Sequence, residues 1–122
     1  MLIALGSALG GAGRLWCSRL AARRLGETFP WGTLIVNVSG SLIIGFADAV
    51  AAPHVPAREF LMAGLCGGYT TFSAFSLQTL ALAQDGRPLR AGVYICASVA
   101  VCLLAVWLGH LAGLAIVRML WS

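Results

Sequence analysis

The residues of this chain that could do chemistry are hydroxyls, amides and aromatic rings embedded in apolar sequence. The densest group is Gly64-Leu65-Cys66-Gly67-Gly68-Tyr69-Thr70-Thr71-Phe72-Ser73-Ala74-Phe75-Ser76-Leu77-Gln78. Each glycine here costs a helix roughly 1 kcal/mol relative to alanine, and each threonine a few tenths. Apolar sequence flanks the group on both sides, so a helix is expected to break here, at membrane depth. Lipid offers nothing to freed backbone groups, and such a break survives only where it is buried in protein, lines a wet cavity or holds an ion. The carbonyls ending the first half-helix suit a cation, and the amides opening the second suit an anion. Hydroxyls of Thr70, Thr71 and Ser73 can cap the break. The plainer alternative is a helix of small residues that lets its neighbours pack closely.

Other polar residues fall into stripes. Thr33, Asn37, Ser41 and Gly45 recur every four residues and share one helix face. The Asn37 amide can donate two hydrogen bonds and accept others, either as an interhelical clasp or toward a solute. Phe72, Phe75, Gln78 and Thr79 share a face after the break, with ordinary core packing as the default for the two rings. Tyr94, Ser98 and Cys102 form a third stripe, and Arg14 is the one cation set inside an apolar run. This is an inventory of donors without a mid-span carboxylate, and it favours a small anion as the permeant species. A small multidrug exporter would need an intramembrane acid to couple protons, and the first span has none. A membrane enzyme would need a nucleophile with a base in reach, which Cys66 lacks in sequence.

The elements that must position these groups follow from composition. In 122 residues, 60% are hydrophobic and 10% charged, and the mean hydropathy is +0.91. That places the chain among membrane proteins. Four stretches approach the ~20 apolar residues that cross ~30 Å of hydrocarbon: residues 1–22, 33–52, 59–84 and 89–112, in a single domain covering 1–122. An all-α membrane protein is therefore expected, with its third span broken near mid-membrane. So small a unit has little interior of its own, and a pathway built from it calls for a second copy. Arg19, Arg23, Arg24 and Glu27 make the first loop, Pro53-His54-Val55-Pro56 the second and Asp85-Gly86-Arg87-Pro88 the third turn. The net charge of +4 comes from arginine alone, with no basic run, which argues against nucleic acid and for anchoring at lipid headgroups. A cleaved signal peptide fits poorly, because no basic segment precedes the first apolar run. Cys17, Cys66, Cys96 and Cys102 lack the spacing of a disulfide frame or a zinc site.

The group at 64–76 resembles the third-helix signature of the Fluc (CrcB) fluoride channel family, which runs Gly-Phe-Cys-Gly-Gly-x-Thr-Thr-Phe-Ser-Thr-Phe-Ser. Pro30-Trp31-Gly32-Thr33-Leu34-Ile35-Val36-Asn37-Val38-Ser39-Gly40-Ser41 resembles its second-helix pattern. Gly6 through Arg14 resemble Gly-Gly-x-x-Gly-x-x-x-Arg except at Ser7. The resemblance implies an antiparallel, dual-topology two-fold dimer in a bacterial inner membrane, made of two copies of the chain or of the chain and a paralogue. It implies passive export of fluoride from the cytoplasm through two pores. Arg14, Asn37, Ser41, Thr71, Phe72, Phe75, Gln78, Tyr94 and Ser98 would line the ion pathway, with aromatic ring edges facing the anion. A structural sodium ion would rest on the backbone carbonyls of Gly67 and Thr70. Two positions depart from the family: Gln78 stands where it has a glutamate, and Cys102 where it has a hydroxyl. A paralogue that has lost conduction is the alternative these departures raise.

Overall fold

The computed structural model describes residues 1–26, 28–51 and 55–122. Glu27 of the first loop, and the Ala52, Pro53 and His54 expected to end the second span, lie outside the described residues. Among these residues every regular element is helical. Helix α1 covers Leu2–Leu25 and α2 covers Trp31–Ala51. A third rod follows, built from α3 (Val55–Arg58), a π-helical segment (Glu59–Cys66), α4 (Gly67–Tyr69) and α5 (Phe72–Gln84). Helix α6 covers Pro88–Trp121. Among the described residues three stretches are long and apolar enough to cross a membrane: Trp31–Ala51, Val55–Gln84 and Pro88–Trp121. Four arginines, Arg14, Arg19, Arg23 and Arg24, dilute α1, although it forms 24 helical residues.

The expected break is present. Thr70 and Thr71 are extended, with ψ of 158° and 121°, midway along the third rod. The π turns before it were not foreseen; they belong to a segment that ends on glycine-rich sequence packed against α1. Two chain reversals use glycine at positive φ, Gly26 after α1 (81°) and Gly86 before α6 (74°), where a side chain would be strained. Pro88 then opens α6 in the first turn, where its missing amide hydrogen costs nothing.

Small residues bring the rods together. A Cβ placed on Gly6 would lie 2.7 Å from both the Leu65 amide nitrogen and the Phe60 carbonyl oxygen, and one on Gly10 would strike the Leu65 carbonyl. The GxxxG spacing of α1 thus seats it backbone to backbone on the π segment and α4. Ser7, the departure from the family pattern, points its hydroxyl at the Gly64 carbonyl at 3.4 Å. On the other side, Gly45 of α2 meets the Val106 carbonyl and Gly109 of α6 meets that of Leu42. At one end, Gly26, Thr28 and Asp85 border one groove, so the first loop and the 85–87 turn lie together. At the other end Asp48 of α2 receives Arg58 at 3.3 Å and His110 of α6 at 3.5 Å, tying three rods. Apolar side chains such as Leu103, Trp107 and Leu120 cover the outside, the inverse of a water-soluble bundle.

Candidate ion pathway

A side chain from another helix holds the extended segment of the break. Asn37 of α2 accepts from the Thr71 amide through Oδ1 at 2.8 Å and donates to the Thr71 carbonyl through Nδ2 at 2.9 Å. Both backbone groups that the break releases at Thr71 are thereby satisfied, which membrane burial demands. The two bonds also fix which end of the carboxamide is oxygen, because an amide hydrogen must meet an acceptor and a carbonyl a donor. Of the two sequence readings of Asn37, the clasp is the bond its side chain makes, and one N–H of Nδ2 is left over. Thr71 Oγ1 caps α5 by accepting from the Ala74 amide at 3.1 Å and lies 3.2 Å from Ser73 Oγ. Thr70 Oγ1 donates to the Cys66 carbonyl at 2.8 Å, closing the end of α4.

Two grooves meet at Thr71. The first, about 330 Å³, is bordered by Asn37, Ser41, Thr70, Thr71, Phe72, Phe75, Ser98 and Cys102 among others. The second, about 460 Å³, takes Arg14, Thr71 and Gln78, with Asp85 at its edge. Of the nine expected pathway residues, eight border one groove or the other, and Thr71 borders both. The ninth, Tyr94, is fully buried between them; its hydroxyl donates to Gln78 Oε1 at 3.1 Å and its ring lies 5.2 Å from that of Phe75. With Oε1 so engaged, the Gln78 amide hydrogens are the part of that side chain left to bond elsewhere. Gly67 borders neither groove.

The donors of the first groove are unequal. Ser41 gives its hydroxyl hydrogen to the Asn37 carbonyl at 2.7 Å, so it presents lone pairs. Ser98 Oγ, by contrast, is buried and has no hydrogen-bond partner among the described residues. A buried hydroxyl left unpaired costs about 1–3 kcal/mol, so this one calls for a ligand or water. Phe72 and Phe75 stand 5.8 Å apart, and Phe72 is 79% exposed, unusual for a ring with only a packing role in its own chain. Among the described residues no carboxylate borders the first groove beside the Asn37 and Ser98 donors.

Spacing gave no sign of a second tie to the break. The Tyr69 hydroxyl lies 2.9 Å from Ser39 Oγ and 3.6 Å from Cys17 Sγ, joining α1, α2 and α4 one residue before the extended segment. Tyr69 falls at the family motif's unspecified position, and Ser39 lies off the 33–37–41 stripe; only the small neighbours Gly13 and Gly40, which its ring packs against, could have hinted at it. Among the described residues no cluster of three or more His, Cys, Asp and Glu side chains could hold a metal.

Residues 1–110 match the family described as CrcB-like protein, Camphor Resistance (CrcB). The chain belongs to the CrcB family. This CrcB chain is 56% identical over 123 residues to the Fluoride-specific ion channel FluC of Paramagnetospirillum magneticum, covering 96% of both chains. It is 52% identical to the protein of that name from Methylocella silvestris, over 96% of this chain and 94% of the relative. For the one from Opitutus terrae the identity is 54%, over 93% and 90%. Three apolar helices in a CrcB member make a multi-pass membrane protein.

Proposed function

We propose that this chain forms a fluoride-specific ion channel that lets fluoride leave the cytoplasm passively and so limits its toxicity. It is a channel and not an enzyme. The observation that carries the reading is identity of 52–56% over more than nine-tenths of both partners with proteins bearing that name. The groove chemistry supports it: the spare Asn37 N–H, the unpaired Ser98 hydroxyl and the ring edges of Phe72 and Phe75 are all electropositive toward an anion. Arg14 and the Gln78 amide continue that character on the far side of Thr71. A small multidrug-type exporter finds no support in this donor set. Purified protein in liposomes should release fluoride and retain chloride; loss of both, or of neither, would end the proposal.

The reading extends to an antiparallel two-fold dimer in a bacterial inner membrane, with α1 as a fourth crossing helix. A homodimer or a pair with a paralogue would serve equally. The exposure of Phe72 supports it, because a second chain would cover that ring and close the first groove. A sodium ion on the carbonyls of Gly67 and Thr70 belongs to the same reading. In an unbroken helix those oxygens would accept from the amides of Thr71 and Ala74, but these amides are bonded to Asn37 Oδ1 and Thr71 Oγ1. Two carbonyls freed in this way fit a hard cation. When bound, sodium would contribute positive charge near the path. Exchange of sodium for a large organic cation during purification should lower the melting temperature and the fluoride flux; indifference of both would remove sodium from the account.

A further inference from the structure

We infer that Cys102 is a water-accessible thiol in the ion path, a site where small hydrophilic sulfenylating reagents close this channel; the inference rests on the first groove being that path. The four cysteines are placed differently. Cys66 is buried at 2% exposure, Cys17 lies against the Tyr69 hydroxyl, and Cys96 is exposed on the apolar outside of the bundle, where lipid would cover it. Only Cys102 borders the first groove, which the other three do not. It sits one helical turn after Ser98 on the same face of α6, and Ser98 Oγ is buried with no partner among the described residues. An unpaired buried hydroxyl beside the spare Asn37 donor marks this stretch as one that water or an ion enters.

The chemistry needs only what water supplies. A thiol reacts as its thiolate, and a thiol facing hydrocarbon cannot release its proton, whereas one facing water can. In the reaction, Cys102 gives its proton to water, and its sulfur attacks the sulfenyl sulfur of a methanethiosulfonate. A new S–S bond forms, the S–SO₂ bond breaks, and methanesulfinate leaves with the electron pair. With the ethylsulfonate reagent the adduct carries a negative charge into a groove of about 330 Å³ and opposes an anion by bulk and by repulsion.

The test treats the intact chain in liposomes with the ethylsulfonate methanethiosulfonate, locates adducts by peptide mass spectrometry and measures fluoride efflux before and after. Cys102 should be modified and Cys96 spared, while the uncharged, lipid-permeant N-ethylmaleimide also reaches Cys96. Flux should fall about tenfold or more, as expected when a pore is occluded. The same loss should occur in Cys96→Ala, and none in Cys102→Ser relative to that variant's own untreated flux. If Cys102 stays unmodified while the unfolded chain reacts at all four thiols, the inference is overturned and the channel reading stands. If Cys102 is fully modified and flux is unchanged, the first groove is not the ion path and the inference falls, while the fluoride efflux itself upholds the channel reading.

Discussion

Asn37 does two things with one carboxamide. Its oxygen and one N–H complete the backbone at Thr71, and its second N–H is free for the groove. Asn37→Ala should therefore lower stability, by roughly 2–6 kcal/mol for two buried groups left unpaired, and also lower fluoride flux per folded protein. Unchanged normalised flux would leave it a clasp only. Tyr94→Phe keeps the ring against Phe29 and Phe75 but frees Gln78 Oε1. It should cost about 0.5–1.5 kcal/mol and reduce flux by letting the Gln78 amide turn; denaturation and efflux assays separate the two effects. Gln78→Glu should change flux modestly at neutral pH, since a carboxylate can accept the same Tyr94 bond. A wild-type chain that is silent until Gln78→Glu restores it would show that the glutamate is required.

The helices meet through glycine, and their tolerance should follow the distances. Gly10→Val would drive a branched side chain into the Leu65 carbonyl and the Tyr69 amide, prising α1 from the third rod at about 1–3 kcal/mol or more. Gly92→Ala meets nothing within 4 Å and should be neutral or stabilising by up to about 1 kcal/mol through helix propensity; melting curves in detergent check both. This level was largely legible in sequence. Gly64, Gly67, Gly68, Thr70 and Thr71 announced the break because local propensity decides it, and Gly6 and Gly10 stand at the GxxxG spacing that lets helices meet closely. The π turns escaped, since their cause lies in packing against α1. Asn37's partner escaped too: 34 residues separate it from Thr71, and no periodicity spans that gap. The meetings of Asp48 with Arg58 and His110, and of Tyr69 with Ser39, are tertiary in the same sense.

Charge is uneven between the two ends of the molecule. Arg19, Arg23, Arg24, Arg87 and Arg90 belong to the end where the first loop meets the 85–87 turn, and Arg58 and Arg118 to the other. The positive-inside tendency alone would orient every copy alike, whereas the dual-topology dimer requires both orientations. Labelling of single cysteines at each terminus should find each on both sides of the membrane; one orientation throughout would rule the antiparallel dimer out. Helix α6, at 34 residues, spans about 51 Å against ~30 Å of hydrocarbon, so its ends, with Arg90 and Arg118, reach the headgroups even when tilted. The clasp at Thr71 bears on how the chain is made. Synthesis runs from the N-terminus, so Asn37 is already in the bilayer when the Thr70–Thr71 stretch arrives. A helix broken in lipid would otherwise present bare amides to hydrocarbon, and here the ribosome delivers the bandage before the wound.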